Sequence, residues 1–87
     1  MLGAAAEELE ATARYYDAIE PGLGLRFVHQ IEAAIARLRE NPKAYLVAFA
    51  RFRRCRVQVF PFNLFYVIRE QEILLLAIAH AKRKPGY

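Results

Sequence analysis

Residues 60–68, Phe-Pro-Phe-Asn-Leu-Phe-Tyr-Val-Ile, constrain the fold more than any other stretch. They form the densest run of aromatic and β-branched side chains in the chain, which suits a strand on a pleated, buried surface. Pro61 has no backbone N–H, so it belongs at the strand entry and not inside a ladder. Phe60-Pro61-Phe62 therefore reads as the corner between two strands. Upstream, residues 54–59 alternate charged or polar with apolar. Downstream, residues 73–79 are continuously apolar, after a polar break at Glu70-Gln71-Glu72. Three consecutive strands with tight connections make an antiparallel meander, expected at about residues 52–60, 63–70 and 73–80.

The first half of the chain must supply the cover. Ala6, Leu9, Ala13, Tyr16 and then Ile19 or Glu20 recur at helical spacing, and Glu7, Glu8 and Glu10 fall in the first turns, where the helix dipole favours acids. Pro21-Gly22 ends this helix, and Leu23-Gly24 completes a short connection. A second helix over residues 25–40 then folds back as a hairpin. It carries Phe27, Ile31, Ala34, Ile35 and Leu38 on one stripe and ends before Pro42. Residues 43–50 read as a loop with a short extended piece at Tyr45-Leu46-Val47. The expected fold class is α+β: a two-helix hairpin packed on one face of a small antiparallel meander, in a single domain over residues 1–87. Leu9, Ala13, Tyr16, Phe27, Ile31, Leu38, Val57, Val59 and Leu75 are the expected core. Cys55, Val57 and Val59 share the covered face, and Arg54, Arg56 and Gln58 fall on the open one. The last strand run is apolar on both sides, which suggests a central position or a partner on its open face.

Several function classes drop out. A single cysteine, Cys55, rules out an intrachain disulfide, and its place between arginines in a strand makes it a small core residue. No apolar run reaches the length of a membrane span, and the start lacks the basic region of a signal peptide; a cytoplasmic location is expected. His29 and His80 stand alone, without the spacing of a metal site, so no metal and no cofactor are expected. Charge is uneven. Residues 1–49 hold five Lys/Arg against seven Asp/Glu, a net of −2, while residues 50–87 hold eight against two, a net of +6. The sheet half either meets something acidic or is a solvated basic face that keeps a small protein soluble. His80 closes the apolar strand and is followed by Lys82, Arg83, Lys84 and Tyr87. Such a group could hold a phosphate backbone or act in acid–base chemistry; the plainer alternative is a histidine at a strand end with a cationic tail.

The succession of pieces resembles a known family. A helix with Tyr15-Tyr16 leads into Pro21-Gly22-Leu23-Gly24, then a helix opening with Arg26-Phe27 and closing at Asn41-Pro42. An arginine-rich strand at Arg53-Arg54, Phe60-Pro61-Phe62, Tyr66 and a final His80-Ala81-Lys82-Arg83-Lys84-Pro85 follow. Together they resemble the RelE/ParE toxin superfamily of type II toxin–antitoxin systems, and within it the ParE-like, plasmid-stabilisation branch. Members of that superfamily usually open with a strand ahead of the first helix; here residues 1–6 are too short and alanine-rich for one. The resemblance implies a toxin neutralised by a cognate antitoxin, often acidic, and a target such as DNA gyrase. The candidate antitoxin- or target-binding residues are Arg53, Arg54, Arg56, Lys82, Arg83 and Lys84. The alternatives are a ribosome-dependent mRNA endoribonuclease of RelE type, with His80, Arg83 and Tyr87 as candidate catalytic residues, and an inactive remnant that keeps only antitoxin binding. RelE-type nucleases often end in His-Arg-Arg with a tyrosine close behind. Here Ala81 follows His80, and Pro85-Gly86 separates Tyr87 from it, so the expectation leans away from an enzyme. A sheet with an uncapped edge also favours pairing with another chain, and a homodimer is expected.

Overall fold

The protein is described by a computed structural model covering residues 3–81. Two helices, α1 (Gly3–Ile19) and α2 (Leu23–Glu40), precede four strands: β1 (Val47–Phe49), β2 (Phe52–Arg56), β3 (Phe62–Arg69) and β4 (Glu72–His80). The strands form one antiparallel sheet in the order β1-β2-β3-β4, with both helices on the same face. The expected α+β architecture is therefore present, with one strand more than the meander.

The helical hairpin closes on two glycines. Gly22 sits at φ 90, a left-handed conformation that glycine adopts without a steric cost, and the chain reverses there. Gly24 packs against α1 so closely that a Cβ would run into the Ala13 carbonyl oxygen. Its N–H donates to Asp17 Oδ1 at 2.8 Å, which ties the second helix to the first. α1 lies over the β4 side of the sheet and α2 over the β2 side, with the two helices packed on each other. Phe27, Ile31, Ala34 and Leu38 of α2 are fully buried, as the stripe predicts. Leu9, Ala13 and Tyr16 of α1 pack on the same core but stay half-buried, because α1 covers an outer strand and meets solvent on its far side.

The strands depart from expectation at two places. β2 ends at Arg56 instead of near residue 60. The Val57 N–H still donates to the Phe62 carbonyl at 2.9 Å, but the chain then turns, and Phe62 N–H reaches back to the Phe60 carbonyl at 2.8 Å. Val59, expected in the core, is 84% exposed with φ 75. The alternation of the strand breaks there: Phe60, one residue on, takes the buried position at 6% exposure. The second departure is β1, two residues downstream of the extended piece expected at residues 45–47. It pairs with only the first part of β2.

β3 and β4 form the longest pairing, closed by Glu70 and Gln71 at φ 49 and 67. Two consecutive left-handed residues between paired Arg69 and Glu72 make the tight turn that matches strand twist. β4 is an outer strand, so a central position is not what makes it apolar. Its outer edge is closed at one point by α1: the Ile78 N–H donates to Glu8 Oε1 at 3.1 Å. Covering an edge amide in this way blunts pairing with other chains.

Gly24→Ala tests the hairpin closure. With the Ala13 carbonyl in the way, the helices must move apart, at about 1–3 kcal/mol of stability in denaturant unfolding.

Candidate functional site

The sheet has two unlike faces. Toward the helices point Cys55 and Val57, Leu64 and Tyr66, and Leu75 and Ile78, all buried. Alternation along the strands turns Arg54 and Arg56 of β2, Phe65 and Val67 of β3 and Leu74 and Ala77 of β4 the other way. No helix lies on that side, and its apolar strip is half-buried at Phe65, Leu74 and Ala77 and buried at Val67, with arginines along one margin. Arg54 and Arg56 are exposed. Among the described residues the ion pairs are Arg14–Glu10 and Arg26–Glu20, and neither touches this face.

The ladder also fixes the backbone here. Val57 bonds inward to β3, whereas the Arg54 N–H points outward and donates to the Leu46 carbonyl at 3.1 Å. Beyond β1 the outer edge of β2 is met by a side chain: Arg37 of α2 donates to the Arg56 carbonyl at 3.2 Å. Arg37, Arg54, Arg56, Tyr45, Leu46 and Gln58 line a shallow depression at this edge. The helical pattern alone puts Arg37 on the outward face of α2, opposite the Phe27–Leu38 stripe. Nothing in the sequence signals that packing α2 over β2 brings it beside Arg56.

The other candidates separate. Arg53 shares the helix-side face of β2, is half-buried, and donates to the carbonyls of Tyr45 at 2.7 Å and Lys43 at 3.3 Å. Its guanidinium thus holds the loop after α2 in place. Tyr66 secures the same loop, its hydroxyl donating to the Pro42 carbonyl at 2.6 Å. His80 pairs with Phe62 in the register, its ring edge-on to the Phe62 ring at 5.3 Å. With Ala11, Thr12, Tyr15, Tyr16 and Ile19 it lines a cleft on the helix side of the sheet. His80 and the Arg54–Arg56 pair therefore lie on opposite faces. Lys82, Arg83, Lys84 and Tyr87 fall outside the described residues. No group of three or more metal-ligating side chains occurs among the described residues, and no described helix is long and apolar enough to cross a membrane.

A family model described as the ParE toxin of type II toxin-antitoxin system, parDE, matches residues 2–85, almost the entire chain. The chain belongs to the ParE toxin family. A ParE toxin is one half of a type II pair, so membership implies an antitoxin partner. Comparison with curated proteins and with solved structures finds no match to this ParE-family chain.

Cys55 is a core residue of this toxin. Its thiol is fully buried, 4.0 Å from the Ala34 carbonyl, and burial raises its pKa above the ordinary value of 9.0, outweighing the side-chain hydrogen bond with Tyr45 and the Arg37 charge. Burial likewise raises the pKa of Tyr66 above 10.0. Both groups are held neutral by folding, so their contribution is complete below the unfolded pKa values. It is lost as pH rises through the higher folded ones. Stability from these groups should be level through neutral pH and fall above about pH 9 in urea titrations. Cys55 should react with a thiol reagent at neutral pH only as fast as the protein opens.

Proposed function

We propose that this ParE-family toxin acts by binding a protein target such as DNA gyrase, without cleaving RNA. An acidic antitoxin neutralises it by covering the open sheet face and the Arg37–Arg54–Arg56 edge. The observation that carries this reading is the separation of the chemical groups. Metal-free RNA cleavage needs a base, an acid and cations converging on one phosphate. His80 packs against Phe62 on the helix side, while Arg54 and Arg56 stand on the opposite face of the sheet. These arginines are placed to dock an extended or helical acidic chain, with the strip of Phe65, Leu74 and Ala77 to receive its apolar residues. Lys82, Arg83 and Lys84 follow β4 in sequence and would add to the positive field that draws such a partner.

A cytoplasmic site of action and a role in plasmid stabilisation belong to the same proposal, as does a homodimer of the free toxin. A second copy adding to the edge of β4 would have to displace Glu8 from the Ile78 amide.

Purified toxin should inhibit DNA supercoiling by gyrase in a dose-dependent way, and His80→Ala should leave that inhibition largely intact. Cleavage of mRNA on translating ribosomes, abolished by His80→Ala, would establish the nuclease instead. Against the antitoxin encoded beside it, the double change Arg54→Glu and Arg56→Glu should weaken binding by roughly one order of magnitude at low salt. The loss should be smaller at high salt, where exposed charges are screened.

A further inference from the structure

Residues 41–46 join α2 to β1 without helix or strand, yet their carbonyls are firmly held. The Tyr66 hydroxyl donates to the Pro42 carbonyl at 2.6 Å. The Arg53 guanidinium donates to the carbonyls of Tyr45 at 2.7 Å and Lys43 at 3.3 Å. The Arg54 N–H takes the Leu46 carbonyl at 3.1 Å. Arg53 and Tyr66 are opposite each other in the β2–β3 ladder, so the two side chains grip the loop together. Tyr66 is fully buried and can touch no partner itself.

These bonds fix one wall of the depression at the β2 edge. Tyr45 and Leu46 line it together with Arg37, Arg54, Arg56 and Gln58. Leu46 is 76% exposed, so the fold gains little from its apolar side chain. Three guanidiniums stand beside it, and none of them is in an ion pair among the described residues. Like charges gathered in this way repel one another, and a partner that brings carboxylates relieves the repulsion. A second copy of the chain, with a net charge of +4, brings the wrong overall sign. A phosphate backbone would answer the charges but not the leucine. The antitoxin is the protein partner that family membership implies.

We infer that Arg53 and Tyr66 are positioning residues for antitoxin binding. They hold Tyr45 and Leu46 beside the three arginines, so that an acidic segment of the antitoxin meets an apolar anchor and its counter-charges in one fixed geometry. A loop ordered in advance loses less freedom on binding, and affinity rises accordingly. Arg53 thus acts through the loop and does not touch the partner. The inference rests on the docking of the antitoxin at the Arg37–Arg54–Arg56 edge.

The test is the affinity of full-length toxin variants for the antitoxin encoded beside the toxin, measured at low and at high salt. Tyr66→Phe keeps the buried ring and the charge and removes only the hydroxyl; it should bind about fivefold more weakly at both salt concentrations. Arg53→Met should lose a similar factor, far less sensitive to salt than the loss in the Arg54→Glu, Arg56→Glu double variant. Leu46→Ser, at an exposed position, should keep the melting temperature and bind roughly tenfold more weakly. Ile31→Val, in the core of α2 and without a tie to the loop, should lower the melting temperature by about 5 °C, as Tyr66→Phe does, and bind as the unchanged chain does. Normal binding by Tyr66→Phe or by Leu46→Ser overturns the inference. So does a loss in Ile31→Val equal to that in Tyr66→Phe, which would make the effect one of stability alone. A loss in Arg53→Met that fades with salt as steeply as that of the double variant makes Arg53 a direct contact and overturns its assignment. Normal binding by the double variant itself places the antitoxin elsewhere and leaves the depression to another partner; the docking reading then fails, and this inference with it.

Discussion

The fold depends on a cluster of four aromatic rings that joins the helices to the sheet. Phe27 of α2 meets Tyr16 of α1 at 5.4 Å, Phe60 at 5.3 Å and Phe62 at 5.2 Å. Tyr16 closes the group against Phe60 at 5.0 Å. Each ring buries a large apolar area, and tilted or edge-on pairs at these distances add to what burial alone contributes. The cluster draws on both helices, the β2–β3 connection and the start of β3. In a chain of 87 residues with one cysteine, no disulfide is available to do that joining. Desolvation in this cluster is also what raises the pKa of Tyr16 above its ordinary value.

From that cluster the functional division of the surface follows. Rings and helices occupy one face of the sheet, so the arginines that alternate with core residues on β2 must point to the other. The same packing brings Arg37 over the end of β2 and seats His80 against Phe62. A basic face, an apolar strip and an aromatic cleft are thus consequences of one arrangement. Only the first two are placed together.

Much of this was legible in the residues. The helical spacing of Phe27, Ile31, Ala34 and Leu38 and the alternation through Arg54, Cys55, Arg56 and Val57 encode burial directly, and all take their expected places. Pro61 marked the corner between β2 and β3. What escaped was set by tertiary geometry. Val59 continues the alternating pattern on paper, but Phe60 is larger and fits the aromatic cluster, and only one of the two neighbours can point inward. β1 is three residues long, too short to carry a periodic signal, and exists because β2 offers it an edge. Arg53 looks like Arg54 in sequence, and its structural role appears only once the carbonyls of Lys43 and Tyr45 are seen around it.

Membership of the ParE toxin family makes the chain a toxin of a type II pair; the proposal that it acts by binding draws its support from the opposite placement of His80 and the β2 arginines. Pulse-labelling of DNA and of protein synthesis in the minutes after induction separates the modes most directly. If the toxin binds a replication protein such as gyrase, DNA synthesis falls first while protein synthesis continues. Protein synthesis that stops first, with messenger RNA cut on the ribosome, would contradict it.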